Sequence, residues 1–305
     1  VKVLIIGFGS IGKRHFEILN GLDIILRVDV VTKQDIHNKS GFVYKELSLV
    51  KDLMRYDYFI IATETFKHYQ QLEYISSIVH GKKILVEKPL FDKNYKNIES
   101  ANYVFVAYNL RFHPVLESIK KIIEKESVYY VNVISGQYLP SWRLGQDYRK
   151  SYSADIEKGG GVLRDLSHEL DYLIWLFGDI NKINSINTRI SDLEISSDDI
   201  FTAIGVTESK VIVNVTVDYI SKIPLRNLVI HTKDITIMAD IVNSKIIIND
   251  KNSNEKVLNI EKEDSNYSYT KMHEAIINNK SESVCSYAEG RNIVDIIDGI
   301  ECKEI

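Results

Sequence analysis

The sequence predicts an α/β chain in two parts. Residues 1–107 read as a doubly wound parallel sheet, and residues 108–305 as an α+β domain with a mostly antiparallel sheet. Three observations carry this. Through the first part, short continuous apolar runs alternate with helical patterns, as they do where crossover helices bury parallel strands on both faces. A G-x-G-x-x-G sequence follows the first of those runs directly. Beyond Ala107 the pattern changes to period-two alternation, the mark of strands with one buried face. The length of 305 residues suits about two domains at ~150 residues each. Hydrophobic residues at 45% and charged residues at 26% exclude a disordered or fibrous chain.

Taken in order, 2–6 (KVLII) is the first strand and 10–20 a helix stopped by Gly21. The β-branched run 24–31 is a second strand and 58–62 (YFIIA) a third. A helix over 68–79 precedes Gly81, and strands follow at 84–87 and 103–107. In the second part, a helix over 114–125 leads into a strand over 128–135. A loop with Pro140 and Trp142 ends in Gly159-Gly160-Gly161 and opens another helix. Segments 200–206, 211–218 (VIVNVTVD), 228–231 and 235–238 alternate as an antiparallel meander. Helices over 267–279 and 288–303 finish the second domain. The acidic stretch 192–199 reads as a solvated turn between strands rather than a metal loop.

A net charge of −4 argues against a general nucleic-acid or membrane-surface binder. No apolar run approaches the ~18 residues that span a bilayer. The run from Val3 to Ile6 stops at Gly7, short of a secretory signal core. Cys285 and Cys302 form neither a disulfide framework nor a metal-site spacing. The expectation is a cytoplasmic protein without a metal.

Three signals carry chemistry. In Gly7-Phe8-Gly9-Ser10-Ile11-Gly12, Gly7 permits a tight turn, Gly9 lets backbone approach a pyrophosphate, and Gly12 allows close helix–strand packing; the helix N-terminus faces the phosphates. This reads as a dinucleotide-binding loop, with a merely structural glycine turn as the plainer alternative. The second strand then ends in Thr32-Lys33, where an acid would read a free ribose 2′-hydroxyl; Asp29 falls inside the strand. A cation beside a small hydroxyl residue favours a 2′-phosphate, which leans to NADP; a solvated surface lysine is the alternative. Second, a strand ends in Glu87-Lys88-Pro89, placing Lys88 at the carboxyl edge of the sheet, where open α/β sheets bind ligands; by itself a lysine at a strand end is more often a surface charge. Third, on one helix over 163–177, Leu163, Leu166, Leu170, Leu173, Ile174 and Phe177 share an arc of about 100°. Asp165 and His168 lie on the other face with Tyr172 and Trp175 beside them. A carboxylate at i,i+3 can orient an imidazole and raise its basicity; a surface ion pair or a core histidine is the plainer alternative.

In this order, the glycine loop, Glu87-Lys88-Pro89 and the 159–171 segment resemble the glucose–fructose oxidoreductase/myo-inositol dehydrogenase (Gfo/Idh/MocA) family over essentially the whole chain. Ala62-Thr63 with His68, and Tyr108-Asn109-Leu110-Arg111-Phe112-His113-Pro114, resemble further segments of it. The resemblance implies a Rossmann domain and a C-terminal domain with a large open sheet that often pairs subunits, so a homodimer or homotetramer. It implies NAD(P) held by Gly7, Gly9, Ser10, Ile11, Gly12, Thr32, Lys33, Ala62, Thr63, His68, Glu87, Lys88 and Asn109, with Arg111 on the substrate side. Lys88 would contact substrate and nicotinamide, His168 would be the proton donor and acceptor, and Asp165 would lie beside the reacting hydroxyl. Two departures stand out. Asp165-Leu166-Ser167-His168 is one residue shorter than the family's D-x-G-x-H, and Glu64 replaces a common proline.

The 138–143 segment, with Tyr148-Arg149, resembles a branch associated with bacterial surface-sugar biosynthesis. Trp142 and Arg143 would then help hold the cofactor, and Tyr148 and Arg149 would face substrate; a planar guanidinium suits phosphate or carboxylate. The plainer reading is a loop packed over the domain junction. The implied activity is hydride transfer between NAD(P) and a hydroxyl or ketone carbon of a sugar or sugar nucleotide. The alternatives are a free polyol or inositol dehydrogenase, and a dinucleotide-binding regulator that would not need Lys88, Asp165 and His168 together.

Overall fold

The alternating first part folds as β1 (Lys2–Ile6), α1 (Ser10–Asn20), β2 (Arg27–Val31), β3 (Val43–Tyr44), β4 (Tyr58–Ile61), α2 (His68–Ile78), β5 (Lys83–Val86) and β6 (Tyr103–Val106). There follow α3 (Pro114–Ile123), β7 (Val128–Gly136), α4 (Leu139–Trp142), α5 (Val162–Asp165) and α6 (His168–Phe177). The strands β8 (Ile180–Thr188), β9 (Ile200–Thr207), β10 (Ile212–Asp218), β11 (Leu225–Thr232), β12 (Ile235–Asp240), β13 (Lys245–Asp250) and β14 (Glu255–Asn259) come next. The chain closes with α7 (Tyr267–Ile277), β15 (Cys285–Ser286) and α8 (Tyr287–Gly299). The computed structural model describes residues 1–300 apart from 37, 40, 143 and 144. It divides into two units: residues 1–109 with 264–295, and residues 110–263 with the chain from 296 on.

The first unit holds a seven-stranded sheet in the order β15-β6-β5-β4-β1-β2-β3, parallel at every pairing except β15 with β6. Its central strands are the continuous apolar runs of the sequence, and Leu4, Ile5, Ile60, Ile61, Leu85 and Val86 are all fully enclosed. The second strand begins at Arg27 rather than residue 24, because Ile24 and Leu26 stand out in solvent.

The domain boundary read from the sequence needs correcting at its far end. Residues 264–295 belong to the first unit, not the second. A parallel pair needs a long crossover, usually helical, yet the β5–β6 connection, residues 87–102, carries no helix. The helix bonded to it comes from far along the chain. On α8, Arg291 donates to the carbonyls of Tyr95 (2.6 Å) and Lys96 (3.2 Å), and the Tyr287 hydroxyl accepts the Ile98 amide (3.0 Å). Cys285 and Ser286 pair with Val106 and Phe105 at the sheet edge. Such pairings are non-local, so no window of sequence announces them.

The second unit is built on an eight-stranded sheet, β14-β13-β12-β11-β7-β10-β9-β8. Neighbours are antiparallel except β7 with β10, which run parallel; that pair is the departure from a plain meander. Val131 and Val133 of β7, Val213 and Val215 of β10, and Leu228 and Ile230 of β11 face the core, as alternation requires. On the other face Ile134, Ile204, Ile212 and Met238 are exposed. Helices α5 and α6 pack on β9 and β10 from the buried side.

The single helix expected over 163–177 is two. A turn at Leu166 and Ser167 separates α5 from α6, and the bonding restarts with Glu169 N–H to Leu166 O (3.2 Å) and Asp171 N–H to Ser167 O (3.1 Å). The leucine stripe is buried as expected, but so is the opposite face: Glu169, Asp171 and Tyr172 are 0% exposed. The acidic stretch is likewise not solvated at its end, since Asp198 and Asp199 are buried. The Ile190 and Ser191 amides both bond Asp199 at 2.9 Å, and the Leu163 amide bonds Asp198 at 3.0 Å. Donors from neighbouring loops make this burial possible, and burial pushes the Asp198 carboxyl up.

At the start of α3, His113 Nδ1 accepts the Val115 amide (3.3 Å). Burial, aided by Arg226, holds this imidazole down at about 4. The unfolded chain protonates it near pH 6.5. The unfolded state therefore binds more protons between those values; stability is full above about pH 6.5 and is lost as pH falls toward 4. His113→Asn, which keeps a cap acceptor, is expected to flatten that slope. Urea midpoints at pH 7 and pH 5 check it: the wild type should lose about 1–2 kcal/mol more than the variant across that interval, and equal losses would remove His113 as the source.

Candidate active site

In the first unit the chain is stitched together along the carboxyl edge of the parallel strands. Gly7 N–H bonds Val31 O (2.9 Å), Ala62 N–H bonds Ile6 O (2.7 Å), Glu87 N–H bonds Ile61 O (2.9 Å) and Ala107 N–H bonds Val86 O (2.9 Å). These bonds bring the glycine loop, Thr32, Ala62 and Glu87-Lys88 to one edge. Gly7 has φ +99°, and a Cβ there would sit 2.4 Å from the Ala62 carbonyl oxygen; a Cβ on Gly12 would sit 2.3 Å from the Gly7 carbonyl oxygen. At Gly9 a Cβ would project into open space with nothing within 4 Å. Ser10 and Ile11 begin α1, so the open space at Gly9 faces a helix N-terminus with its unshared amides and partial positive charge. The residues present fit a dinucleotide pyrophosphate.

At the end of β2, Asp29 is turned inward. Arg27 Nε donates to it at 2.7 Å, the Phe42 amide at 2.7 Å and the Tyr56 hydroxyl at 2.5 Å. Burial opposes the charge, but the bonds from Arg27 and Tyr56 prevail and hold the carboxyl below its ordinary value. Thr32 is buried and its Oγ1 accepts the Gln34 amide (3.2 Å), while Gln34 Nε2 reaches the Phe8 carbonyl (3.1 Å). Lys33 is exposed. The next acid, Asp35, is engaged by Lys45 Nζ at 2.5 Å.

Two residues expected on the cofactor side are committed inward. His68 is 1% exposed; its Nε2 lies 3.2 Å from Thr63 O, and its Nδ1 lies 3.3 and 3.2 Å from the Pro89 and Leu90 carbonyls. Burial holds it below its ordinary value, and a neutral imidazole has a single N–H to donate to one of these carbonyls. Thr63 Oγ1 donates to Gln71 (2.8 Å). Glu87 is buried, with Oε1 2.8 Å from His15 Nε2 and Oε2 accepting the Lys88 amide (3.2 Å). Lys88 itself is half-buried, and the Lys88–Pro89 peptide is cis. Asn109 is buried at the end of the first unit.

In the second unit, Asp165 ends α5 and His168 begins α6, both largely buried. The Tyr152 hydroxyl donates to Asp165 Oδ1 (2.7 Å) and the Tyr219 hydroxyl to Oδ2 (2.6 Å). Burial, then Asp165, pushes the Tyr219 hydroxyl well up, which keeps it a donor. Trp142 sets its ring edge on Tyr219 at 5.7 Å. Neither tyrosine was singled out in the sequence; Tyr219 follows the last alternating residue of β10, but nothing in that pattern ties it to a carboxylate 54 positions away. Arg143 lies outside the described residues. Trp142, Gln146, Asp147, Tyr148 and Ser151 line a shallow cleft. Tyr148 Oη accepts the Glu194 amide (3.3 Å), and Arg149 is exposed but engaged by Asp147 (2.8 Å) and Glu194 (3.2 Å).

Arg111 corrects a further expectation. Its guanidinium is 1% exposed and grips Asp171 through Nη2 (2.7 Å) and Nε (3.1 Å). Asp171 is 0% exposed. A guanidinium so engaged supports the fold of this unit rather than a substrate.

Residues 1–113 match the model described as an oxidoreductase family with an NAD-binding Rossmann fold, and residues 117–237 match the Gfo/Idh/MocA C-terminal domain. The chain belongs to the Gfo/Idh/MocA family. An uncharacterized oxidoreductase of Synechocystis sp. is 30% identical over 126 residues, 39% of this chain and 33% of that protein. The levoglucosan dehydrogenase of Pseudarthrobacter phenanthrenivorans is 27% identical over 144 residues, 43% of this chain and 36% of that one. The chain thus spans about a third of the length of these curated relatives in the matched regions. Solved structures align over nearly all of it. UDP-N-acetylglucosamine 3-dehydrogenase of Acidithiobacillus ferrooxidans gives a TM-score of 0.78 at 17% identity, covering 98% of this chain and 96% of that one. Gal80p of Saccharomyces cerevisiae, as a super-repressor mutant, gives 0.83 at 13% identity, covering 98% and 94%. This Gfo/Idh/MocA fold has no helix, among the described residues, long and apolar enough to cross a membrane.

The three glycines of the loop should separate by experiment. Gly9→Val is expected to weaken NAD(P)H binding by tenfold or more while thermal stability stays near wild type, since its side chain enters only the open space. Gly7→Val is expected to destabilise the protein itself, through its φ and the Ala62 carbonyl. Cofactor titration and thermal melts check both; unchanged affinity in Gly9→Val would reject the loop as the pyrophosphate site.

Proposed function

We propose that the protein is an NAD(P)-dependent oxidoreductase acting on a hydroxyl or ketone carbon of a sugar or sugar nucleotide, in cytoplasmic surface-carbohydrate biosynthesis. The observation that carries this reading is the carboxyl edge of the first unit, where an open glycine loop and the half-buried Lys88 are fixed by the same stitching bonds. The family supports it, as do relatives whose names give levoglucosan and UDP-N-acetylglucosamine as substrates. The bound nicotinamide supplies hydride transfer. Gly7, Gly9 and Gly12 with the α1 N-terminus hold the pyrophosphate. Lys88 polarises the reacting oxygen and stabilises its developing charge. His168 moves the hydroxyl proton, because an imidazole titrates near neutral pH. Asp165, steadied by Tyr152 and Tyr219 beside it in the second unit, offers an acceptor to a substrate hydroxyl. The exposed apolar face at Ile134, Ile204, Ile212 and Met238 supports pairing of two chains through the open sheet.

The fold is shared with a yeast repressor, so a dinucleotide-binding regulator is the reading to exclude. His168→Ala and Lys88→Met should each lower single-turnover hydride transfer by about 10²–10⁴-fold while NAD(P)H affinity stays within about threefold. Near-wild-type transfer in both would place the acid–base chemistry elsewhere, and no turnover with any carbohydrate in the wild type would favour the regulator.

The β2 end supports NADP over NAD. Asp29 is consumed inside the unit and Lys33 is exposed just past the strand end, where a 2′-phosphate would lie. Lys33→Asp is therefore expected to weaken NADPH by about ten- to a hundredfold, the range of a lost charge-assisted bond, and NADH far less. Paired titrations decide it; a wild-type preference for NADH would reverse the assignment.

A further inference from the structure

Four buried side chains from four segments of the first unit form one hydrogen-bonded line. The Tyr58 hydroxyl on β4 lies 2.9 Å from His273 Nδ1 on α7. His273 Nε2 lies 2.9 Å from His15 Nδ1 on α1. His15 Nε2 lies 2.8 Å from Glu87 Oε1 at the end of β5. Tyr58, His15 and His273 are 0% exposed, and Glu87 is 6%. The other oxygen of Glu87 accepts the amide of Lys88 (3.2 Å).

The proton count gives the line a direction. Among the described residues the buried Tyr58 proton meets one acceptor, His273 Nδ1, so Nδ1 carries the lone pair and Nε2 the proton of His273, and His15 accepts at Nδ1 and presents Nε2–H to Glu87. Tyr58 O–H donates to His273 Nδ1, His273 Nε2–H donates to His15 Nδ1, and His15 Nε2–H donates to Glu87. Flipping one tautomer alone sets two N–H groups or two lone pairs against each other. The reverse polarity leaves the buried Tyr58 proton with no acceptor among the described residues. Burial holds His273 well below its ordinary value and Tyr58 well above its own. A polar line of this kind earns its place only when every member is satisfied; an apolar core would otherwise pack as well.

We infer that His273, backed by Tyr58, is a positioning residue for Lys88: it sets the His15 tautomer whose Nε2–H seats Glu87 against the Lys88 amide. This rests on the reading of Lys88 as a catalytic residue. It also gives residues 264–295, which pack on the first unit, a part in the chemistry of a strand end some 190 residues earlier in the chain, 273 against 87. The other ionisable groups within reach of Glu87 are Tyr58 on β4, His68 on α2 and Tyr269 on α7, whose ring carries Arg14 at 5.3 Å.

The test combines a spectroscopic readout on the cofactor-free protein with kinetics. Nitrogen-15 spectra of histidine-labelled wild type should show His15 and His273 both as the Nε2–H tautomer near neutral pH. In Tyr58→Phe, His273 should become a tautomer mixture and His15 should follow. Single-turnover hydride transfer should fall by about ten- to a hundredfold in Tyr58→Phe and further in His273→Leu, with NAD(P)H affinity within about twofold. The acid limb of the pH–rate profile should move to higher pH in both, because Glu87 loses the fixed donor that favours its carboxylate form. A purely structural line would leave that limb in place. Wild-type spectra showing the Nδ1–H tautomer, or an unmoved rate and acid limb in Tyr58→Phe, overturn the inference even if His273→Leu does not fold. Lys88→Met separates the two failures: wild-type transfer there overturns the role of Lys88 itself, whereas a dead Lys88→Met beside an unmoved acid limb in Tyr58→Phe overturns the relay alone.

Discussion

A carboxylate taken out of water has to be met by donors, and both units are organised around that demand. Asp29, Glu87, Asp165, Glu169, Asp171, Asp198 and Asp199 are each 6% exposed or less. Each takes at least one hydrogen bond, most of them from elements distant in sequence. Arg27, Tyr56 and the Phe42 amide hold Asp29, Arg111 holds Asp171, and Arg226 holds Glu169 at 2.7 Å. Removing one partner from a buried pair costs about 3–5 kcal/mol, a large share of the stability of an ordinary domain. An exposed pair such as Lys67 with Glu64 is worth about 0–1 kcal/mol. The buried pairs therefore decide which loops lie where, and the surface pairs follow.

What was legible in the sequence is what local pattern controls. The strands β1, β4, β5 and β6 are apolar runs, and α1 falls on the residues its Gly21 stop predicts. The glycine loop was legible because each glycine answers a local demand: the turn, the open face and the helix contact. The long-range features were not. Residues 264–295 read as ordinary helices whose side chains say nothing about which sheet they join. The interruption at Leu166 and Ser167 left no helix breaker to read, since the leucine stripe continues through it. Arg111 was put on the substrate side by the resemblance, and nothing local names Asp171, 60 positions away, as its partner. The acids at 198 and 199 were read as part of a solvated turn, and the fold supplied them with buried donors instead.

The site residues divide along the same line. Glu87 and His68 were expected to face the cofactor, and both are turned into the unit, Glu87 against His15 and the Lys88 amide and His68 among the carbonyls of Thr63, Pro89 and Leu90. Asp165 keeps its place largely buried at the end of α5, with both oxygens taking tyrosine hydroxyls. The break between α5 and α6 falls between Asp165 and His168: the two residues do not share one continuous helix, so the helical angle between them does not set their relation.

That difference bears on what the molecule is built to do. Holding a dinucleotide requires the glycine loop and the β2 end, and both are complete without the tyrosines around Asp165 or the histidines behind Glu87. Those groups are polar, enclosed and drawn from separate segments, so each adds a desolvation cost that apolar packing would avoid. A binding module gains nothing from carrying it. A catalyst does, because a lysine or a carboxylate that must meet a reacting oxygen in one orientation needs its supports locked before substrate arrives. The buried donors are thus better accounted for by the demands of a reaction than by those of a fold, and they make the oxidoreductase reading the more economical of the two.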